Sequence, residues 1–340
     1  MQSNVIYINT KIKRALILLQ KSKIKTLAVV NKEKKLLGTI TDGDIRRGLL
    51  KNININDNIK KVYNKNPNFV VEGGKSYDKF QKQFLPIVDK NKKFLKISHY
   101  LETKKTLQNP VFILAGGKGK RLRPLTKKIP KPLVKLDHKN SILGLLLQNL
   151  KNQGFKRFHI SVNYLSKNFE KYFKKNYKTF NIKIIKEKKF LGTAGPLSLL
   201  NLKTISHPIL VLNGDLITNL NFNELLNYHK ISKSDMTVCV KKESQVFRFS
   251  KLDVDKNQNI RDIKEKPNIE HLLSAGIYLI NKNLIKTIKK NTFLDMPDLI
   301  SKLILKKYKV KAFYVFENWL DVGTKKTLSM ARKKLQDNSR

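Results

Sequence analysis

The chain has 340 residues, 71 Lys and Arg against 25 Asp and Glu, and a formal net charge of +46. That length suggests two domains, and 40% apolar residues suffice for ordinary cores, which excludes a disordered tail or a disulfide mini-protein. The single cysteine, Cys239, excludes an intramolecular disulfide and any multi-cysteine metal site.

The N-terminus, Met1–Ile6, lacks the basic, apolar and small-residue regions of a signal peptide. No apolar run approaches the roughly 18–20 residues that span a bilayer. A cytoplasmic protein without a membrane partner is expected. Arg14–Gln20 is an apolar helical stretch, Leu27–Val30 a short buried strand, Leu36–Thr41 a second strand and Asp42–Leu50 a helix with acidic residues in its first turn. The order recurs more weakly: Phe84–Asp89 resembles the first strand, Lys90–Lys93 the turn and Phe94–Ser98 the second strand. Two such copies suggest an internal duplication. Glu102–Pro110 is polar and reads as a linker, which divides the chain into 1–107 and 108–340.

After the linker, strands and helices alternate. Val111–Ala115, Phe158–Val162, Ile182–Ile185 and Ile209–Leu212 are strands; Ile142–Leu150, Ser166–Lys175 and Pro196–Leu202 are helices. This is the pattern of an open, mainly parallel sheet covered on both faces, which binds ligands at the carboxyl ends of its strands. One such end carries Leu114-Ala115-Gly116-Gly117-Lys118-Gly119-Lys120-Arg121-Leu122-Arg123-Pro124, then Pro130-Lys131-Pro132. Its glycines let the backbone approach a ligand and present N–H groups as an anion nest, with cations around it. A nucleoside triphosphate suits such a loop. The spacing is neither that of a Walker loop nor that of a dinucleotide fingerprint.

This segment resembles the signature of the sugar-1-phosphate nucleotidyltransferase family, and further matches follow in family order up to about Ala331. They are Leu191-Gly192-Thr193-Ala194-Gly195, Asn213-Gly214-Asp215, Glu265-Lys266-Pro267, Ser274-Ala275-Gly276 and Trp319-Leu320-Asp321-Val322-Gly323-Thr324. The resemblance implies a Rossmann-like domain with a mixed, mainly parallel sheet. It implies transfer of a nucleotidyl group from an NTP to a sugar 1-phosphate, with Mg²⁺ on Asp215 and Asp321. Arg121 and Lys131 would serve the triphosphate as catalytic cations. Leu114, Ala115, Gly116, Gly117, Gly119, Gly192 and Thr193 would hold the nucleotide; Gly195, Glu265, Lys266 and Ser274 would hold the sugar phosphate. The physical demand agrees: two polyanions must meet, so catalysis is mostly positioning and charge neutralisation, and Mg²⁺ takes one or two carboxylates plus substrate phosphates.

Three positions depart from the family pattern. Lys120 replaces the usual Thr or Ser, Ser274 the usual Asn, and Gln245 is followed by Val246–Ser250 without the usual glycine. Sugar recognition is where the pattern is weakest. No hexapeptide repeats follow Asp321, which excludes an acyltransferase β-helix.

Gly38-Thr39-Ile40-Thr41-Asp42-Gly43-Asp44 resembles a cystathionine-β-synthase (CBS) module. The resemblance implies a tandem CBS pair over residues 1–107, regulatory, with Thr41 and Asp44 on the ribose and phosphate of an adenine nucleotide. Its second copy is degenerate, with Lys96–Tyr100 in place of the Thr/Asp pair. Such pairs also support homo-oligomers, and a purely structural or dimerising pair is the alternative to a ligand-binding one. The fusion, with Met296-Pro297-Asp298-Leu299, resembles a subgroup that guanylylates amino-sugar or heptose 1-phosphates for surface glycans, which favours GTP. The histidines, such as His159 and His229, show no metal spacing; Cys239 reads as core and Trp319 as packing beside Asp321.

The charge itself points towards nucleic acid. Yet residues 1–107 carry net +16 and the remainder net +30, a nearly even density, and only ten of the cations are Arg. An even lysine-rich background, without an aromatic-studded RNA motif, disfavours a nucleic-acid partner. Two readings stay open: the enzyme, and a non-catalytic nucleotide-sensing regulator that keeps the fold.

Overall fold

The computed structural model describes residues 4–22, 24–72, 84–99 and 106–337. In the N-terminal unit, β1 (Val5–Tyr7) runs parallel to β2 (Thr26–Val30), which pairs antiparallel with β3 (Leu36–Thr41). Helix α1 (Ile12–Lys21) buries Ile12, Ala15, Leu16 and Leu19, one stripe at helical spacing. Helix α2 (Asp42–Leu50) opens in a capping box: the Asp44 N–H donates to Thr41 Oγ1, and the Thr41 N–H donates to the Asp44 carboxylate at 2.8 Å.

A second ribbon repeats that order and sense. β4 (Val70–Val71) is parallel to β5 (Phe84–Val88), which is antiparallel to β6 (Phe94–His99). The two hairpins meet at their turns, where the Leu36 N–H donates to Lys92 O and the Phe94 N–H to Lys34 O, both at 2.9 Å. Tyr100, at the end of the degenerate CBS motif, and Glu102–Lys105 of the expected linker lie outside the described residues. The linker's far end is seated on the second unit, for the Leu107 N–H donates to Gly154 O at 2.9 Å and Asn109 Nδ2 to Pro208 O at 2.8 Å.

The second unit is built on β7 (Val111–Leu114), α3 (Ile142–Asn152), β8 (Arg157–Val162), α4 (Ser166–Asn176), β9 (Asn181–Lys186), β10 (Ile209–Asn213) and β11 (Leu216–Thr218). Then come α5 (Phe222–Ile231), β12 (Met236–Val246), β13 (Lys251–Val254), β14 (Ile260–Lys264), β15 (Asn268–Ile280), α6 (Lys282–Ile285) and α7 (Met296–Leu305). β16 (Val310–Tyr314), β17 (Trp319–Asp321) and α8 (Lys325–Asp337) complete it. The main sheet has the order β16-β12-β15-β10-β7-β8-β9. All its strand pairs are parallel except the two made by β15, so it is mixed and mainly parallel. Val111 and Ile113 face the layer of α3, α4 and α5; Phe112 faces the layer of α6 and α7. That alternation is the two-residue period of a strand buried on both faces.

From β7 the chain moves to β8 and β9 on one side and then returns to β10 on the other. The crevice at the carboxyl ends of β7 and β10 is therefore the switch point where such sheets hold ligands. Pro196–Leu202, expected as a helix, is instead two short 3₁₀ turns, Gly195–Leu199 and Leu202–Thr204. The Ala194 and Gly195 N–H groups both donate to Leu294 O, which pins the segment's entry to a distant loop, and the bonds within it close at three residues, Leu197 N–H to Ala194 O and Leu200 N–H to Leu197 O. β12 and β15 leave the sheet as a long exposed arm, with β13 and β14 as a hairpin between them.

Candidate active site

The switch point gathers the glycine loop, Lys131 and both aspartates. Register puts Asn213 beside Leu114, and the Gly214 N–H donates to Leu114 O at 2.8 Å, so Asp215 leaves β10 next to the loop that leaves β7. β11 and β17 then form a two-stranded antiparallel ribbon in which Leu216 faces Asp321, while the Val322 N–H donates to Asp215 O at 3.0 Å. Lys131 Nζ donates to Asp215 Oδ2 and lies 3.4 Å from Asp321 Oδ1. Arg121 completes the cluster: a Cβ added to Gly323 would sit 3.1 Å from both Arg121 Nη2 and Asp321 Oδ2. Burial, and then the Asp215 charge, raise the Asp321 carboxyl above its ordinary range, against the pull of Lys131 and Arg121.

The residues fit a divalent cation. Asp215 Oδ1 is buried and has no hydrogen-bond partner among the described residues, an acceptor left over once Lys131 has taken the other oxygen. Two carboxylates bent together, one of them uneasy as an anion, are a hard-oxygen donor set. Among the described residues no group of three or more His, Cys, Asp and Glu side chains could hold a metal, so the remaining ligands would come from substrate.

The glycines of the loop serve different ends. A Cβ on Gly116 would lie 2.7 Å from Glu187 Oε1, and Gly119 has φ +58 with Lys131 Cβ 2.9 Å from its own missing Cβ. Both are fixed by the protein's own packing. Gly117 has none of the described residues within 4 Å of its missing Cβ, so it keeps a stretch of backbone open to solvent. Lys118 and Lys120 are exposed along this loop, whereas Ala115 is buried beneath it.

The Leu191–Gly195 loop is knitted to the start of α7. The Thr193 N–H donates to Asp295 Oδ1 at 2.9 Å, and the Met296 N–H donates to Thr193 Oγ1 at 2.7 Å. Gly192 has φ +79, and a Cβ on Gly195 would run into Thr292 O. Thr193 and Gly195 thus shape the loop through contacts of their own. The motif at 265–267 lies elsewhere, on the arm: Lys266 has a side chain 67% exposed, and Glu265 accepts a hydrogen bond from Ser250. Ser274 marks where the arm joins the sheet, its Oγ 2.9 Å from Tyr278 Oη. Phe247 and Phe249 stand exposed on the arm, and Trp319 Nε1 donates to Ala275 O at 2.8 Å. Cys239 is fully buried, which drives its thiol pKa far up and leaves it inert core.

Two positions carry signals too faint to read in sequence. Glu187, buried, accepts from Ser161 Oγ at 2.7 Å and from the Leu191 N–H at 3.0 Å, and so ties the glycine loop's floor to the 191–195 loop. Burial raises its carboxyl pKa against those two bonds. Asp295 receives Thr193, as above. Thr41 and Asp44, in contrast, line a cavity of about 830 Å³ between the two units, with Asn219, Asn221 and Glu224 on the far wall. Among the described residues no helix is long and apolar enough to cross a membrane.

A mixed α/β sheet whose switch point presents a glycine loop, a bridging lysine and two convergent carboxylates defines a protein built to handle nucleoside phosphates. The chain belongs to the nucleotidyl transferase family, whose model matches residues 111–338; a CBS domain model matches residues 1–51. It is 32% identical over 224 residues to the mannose-1-phosphate guanylyltransferase catalytic subunit beta of Drosophila melanogaster, a match covering 63% of this chain and 59% of that one. It is 28% identical over 212 residues to the D-glycero-alpha-D-manno-heptose 1-phosphate guanylyltransferase of Campylobacter jejuni, covering 62% of this chain and 93% of that one. The chain thus spans about three fifths of the length of the fly relative. Among solved structures, HddC from Yersinia pseudotuberculosis complexed with GMP-PN superposes with a TM-score of 0.53 at 25% identity, covering 67% of this chain and 99% of that one.

Proposed function

We propose that this chain is a metal-dependent sugar-1-phosphate nucleotidyltransferase that uses GTP. The observation that carries the reading is the Asp215–Lys131–Asp321 cluster set beside an open glycine loop at the switch point. The guanine preference rests on the fly and Campylobacter relatives, both guanylyltransferases. Surface-glycan precursor synthesis is the role we assign to the product.

In the reaction a phosphate oxygen of the sugar 1-phosphate attacks the α-phosphorus of GTP. A new P–O bond forms there, the α–β phosphoanhydride bond breaks, and pyrophosphate leaves with its electron pair. The nucleophile is already an anion, so no strong general base is required. The backbone around Gly117 receives the triphosphate, and Arg121 neutralises it. Lys131 holds the two aspartates together until substrate arrives and then faces the α-phosphate. Lys266, on its arm, meets the incoming sugar phosphate, with Glu265 and Ser274 along the same arm. Asp215 and Asp321 would hold Mg²⁺, which when bound supplies charge neutralisation at the phosphate oxygens.

Residues 1–107 form, in this reading, a regulatory tandem CBS pair, with an adenine nucleotide at Thr41 and Asp44 in the interdomain cavity. The lack of a glycine at 246–250 favours the second reading, a nucleotide-sensing regulator without turnover. A pyrophosphate-release assay crossing four NTPs with mannose, heptose and amino-sugar 1-phosphates separates the two. Release with GTP supports the enzyme; silence with every pair supports the regulator.

A further inference from the structure

A buried cation bridges the two units. Arg46, on α2, is 3% exposed and reaches out of its own unit into the turn that follows β16. Its Nη1 donates to Tyr314 O, its Nη2 donates to Glu317 Oε1 at 3.0 Å and Oε2 at 3.2 Å, and its Nε donates to Asp42 Oδ2 at 2.6 Å. The guanidinium lies 3.8 Å over the Phe313 ring. Burial opposes its charge, but Asp42 and Glu317 more than offset that, and its pKa is raised. Only the planar, five-donor fork of arginine can meet two carboxylates, a carbonyl and a ring face at once. Beside it Phe316 packs into the hydrophobic core of the N-terminal unit.

The segment held this way leads directly to the active site. Phe313 ends in the main core, Tyr314 to Glu317 are clamped by the N-terminal unit, and β17 begins at Trp319 and ends at Asp321. On the far side of the clamp the Asn219 N–H donates to Asn318 O at 3.0 Å, and the β11–β17 ribbon takes over. β17 is three residues long and pairs with the equally short β11, so the anchoring of the turn before it also bears on its position. We propose that Arg46 is a positioning residue: from the N-terminal unit it sets where β17 lies, and with it Asp321. The inference rests on the metal reading above only for its consequence, since the clamp itself is a packing relation. It also supplies a route from the interdomain cavity to the carboxylate pair. Thr41 and Asp44 line that cavity at the head of α2, less than two turns from Arg46.

Trp319 is the only tryptophan in the chain, so its emission reports β17 alone. The full-length protein, Arg46→Met, Arg46→Lys and Glu317→Gln are compared by far-UV circular dichroism, Trp319 emission and acrylamide quenching, and Mn²⁺ titration read by electron paramagnetic resonance. Lys61→Met, which breaks an exposed ion pair with Asp57 in the same unit, is the control. Arg46→Met is expected to red-shift Trp319, increase its quenching and weaken Mn²⁺ binding about tenfold, the usual scale for losing a group that orients a ligand. Arg46→Lys is expected to recover part of both effects, and Lys61→Met to match wild type. A folded Arg46→Met with wild-type emission and Mn²⁺ affinity would overturn the proposal. If Arg46→Met does not fold, Glu317→Gln, which keeps the shape and removes one charge, decides it by the same two readouts. A wild-type chain that takes up no Mn²⁺ would defeat the metal assignment, and the clamp would then stand or fall on the Trp319 shift.

Discussion

Leu216 and Asp321 face each other across the β11–β17 ribbon, and this pairing is what holds Asp321 beside Asp215. Asp215 is the second residue after β10, Leu216 the first of β11, and Asp321 the last of β17. Two short strands from distant parts of the chain thus bend two carboxylates onto one lysine.

The first prediction concerns that pair. Asp215→Asn and Asp321→Asn should each lower pyrophosphate release by about a hundredfold or more, because charge stabilisation at the phosphates is lost. Their stabilities should move the other way for Asp321. Burial and the Asp215 charge disfavour its anion, so a neutral amide at 321 should keep or raise the melting temperature at pH 7. A marked fall in the melting temperature of Asp321→Asn would contradict the strained-pair account.

The second contrasts two glycines. Gly117→Ala meets no protein atom, so it should fold as wild type while raising the KM for GTP through a methyl group in the ligand's path. Gly119→Ala must place a side chain at φ +58 and 2.9 Å from Lys131 Cβ. It should lose about 1–2 kcal/mol of stability and reduce kcat by displacing Lys131. Denaturant melts with steady-state kinetics distinguish them, and equal effects of the two substitutions would refute the division of roles.

How legible this site is in sequence depends on distance along the chain. Asp215 and Asp321 stand in local words, Asn213-Gly214-Asp215 and Trp319–Thr324, that can be read one at a time. Their juxtaposition cannot, because it comes from a ribbon of two three-residue strands with no periodicity of their own. Strands β7, β8, β9 and β10 are legible as short apolar-rich runs between turns, whereas β16, Val310–Tyr314, is interrupted by Lys311 and is not. Pro196–Leu202 is apolar enough to read as a helix, but its bonds close at three residues, as in Leu200 N–H to Leu197 O, and its entry is tied by Ala194 and Gly195 to Leu294 O, a partner that helical propensity does not register. Glu187 and Glu317 are lone acids in the sequence; only the fold shows that each is buried and bonded.

The third prediction isolates the arm. Lys266 is two-thirds exposed and its ion pair with Glu265, at 3.9 Å, contributes little to folding. Lys266→Ala should leave the melting temperature within a degree or so, and raise the KM for the sugar 1-phosphate while that for GTP stays constant. A change in the GTP KM alone would move Lys266 to the triphosphate.

The last prediction follows from the crowd of carboxylates around Arg46. Burial pushes the Asp42 carboxyl up to about 6; Arg46 pulls it down, and Glu317 and Glu224 push it further up. A carboxyl whose folded pKa lies above its ordinary 3.8 binds its proton more tightly in the native state. The Asp42 contribution to stability should therefore fall as pH rises from about 4 to about 6, and level off above. Asp42→Asn keeps an acceptor for Arg46 but cannot ionise, so it lacks this slope. The stability of Asp42→Asn minus that of wild type should grow across the same window to on the order of 1–3 kcal/mol and then hold constant. Taking the difference cancels the titration of other groups, including the growing repulsion of a chain at +46. Denaturant melts at half-unit pH steps measure it. A difference that is flat from pH 4 to 7, or that shrinks as pH rises, would mean that Arg46 outweighs burial and that Asp42 is an ordinary ion-pair partner.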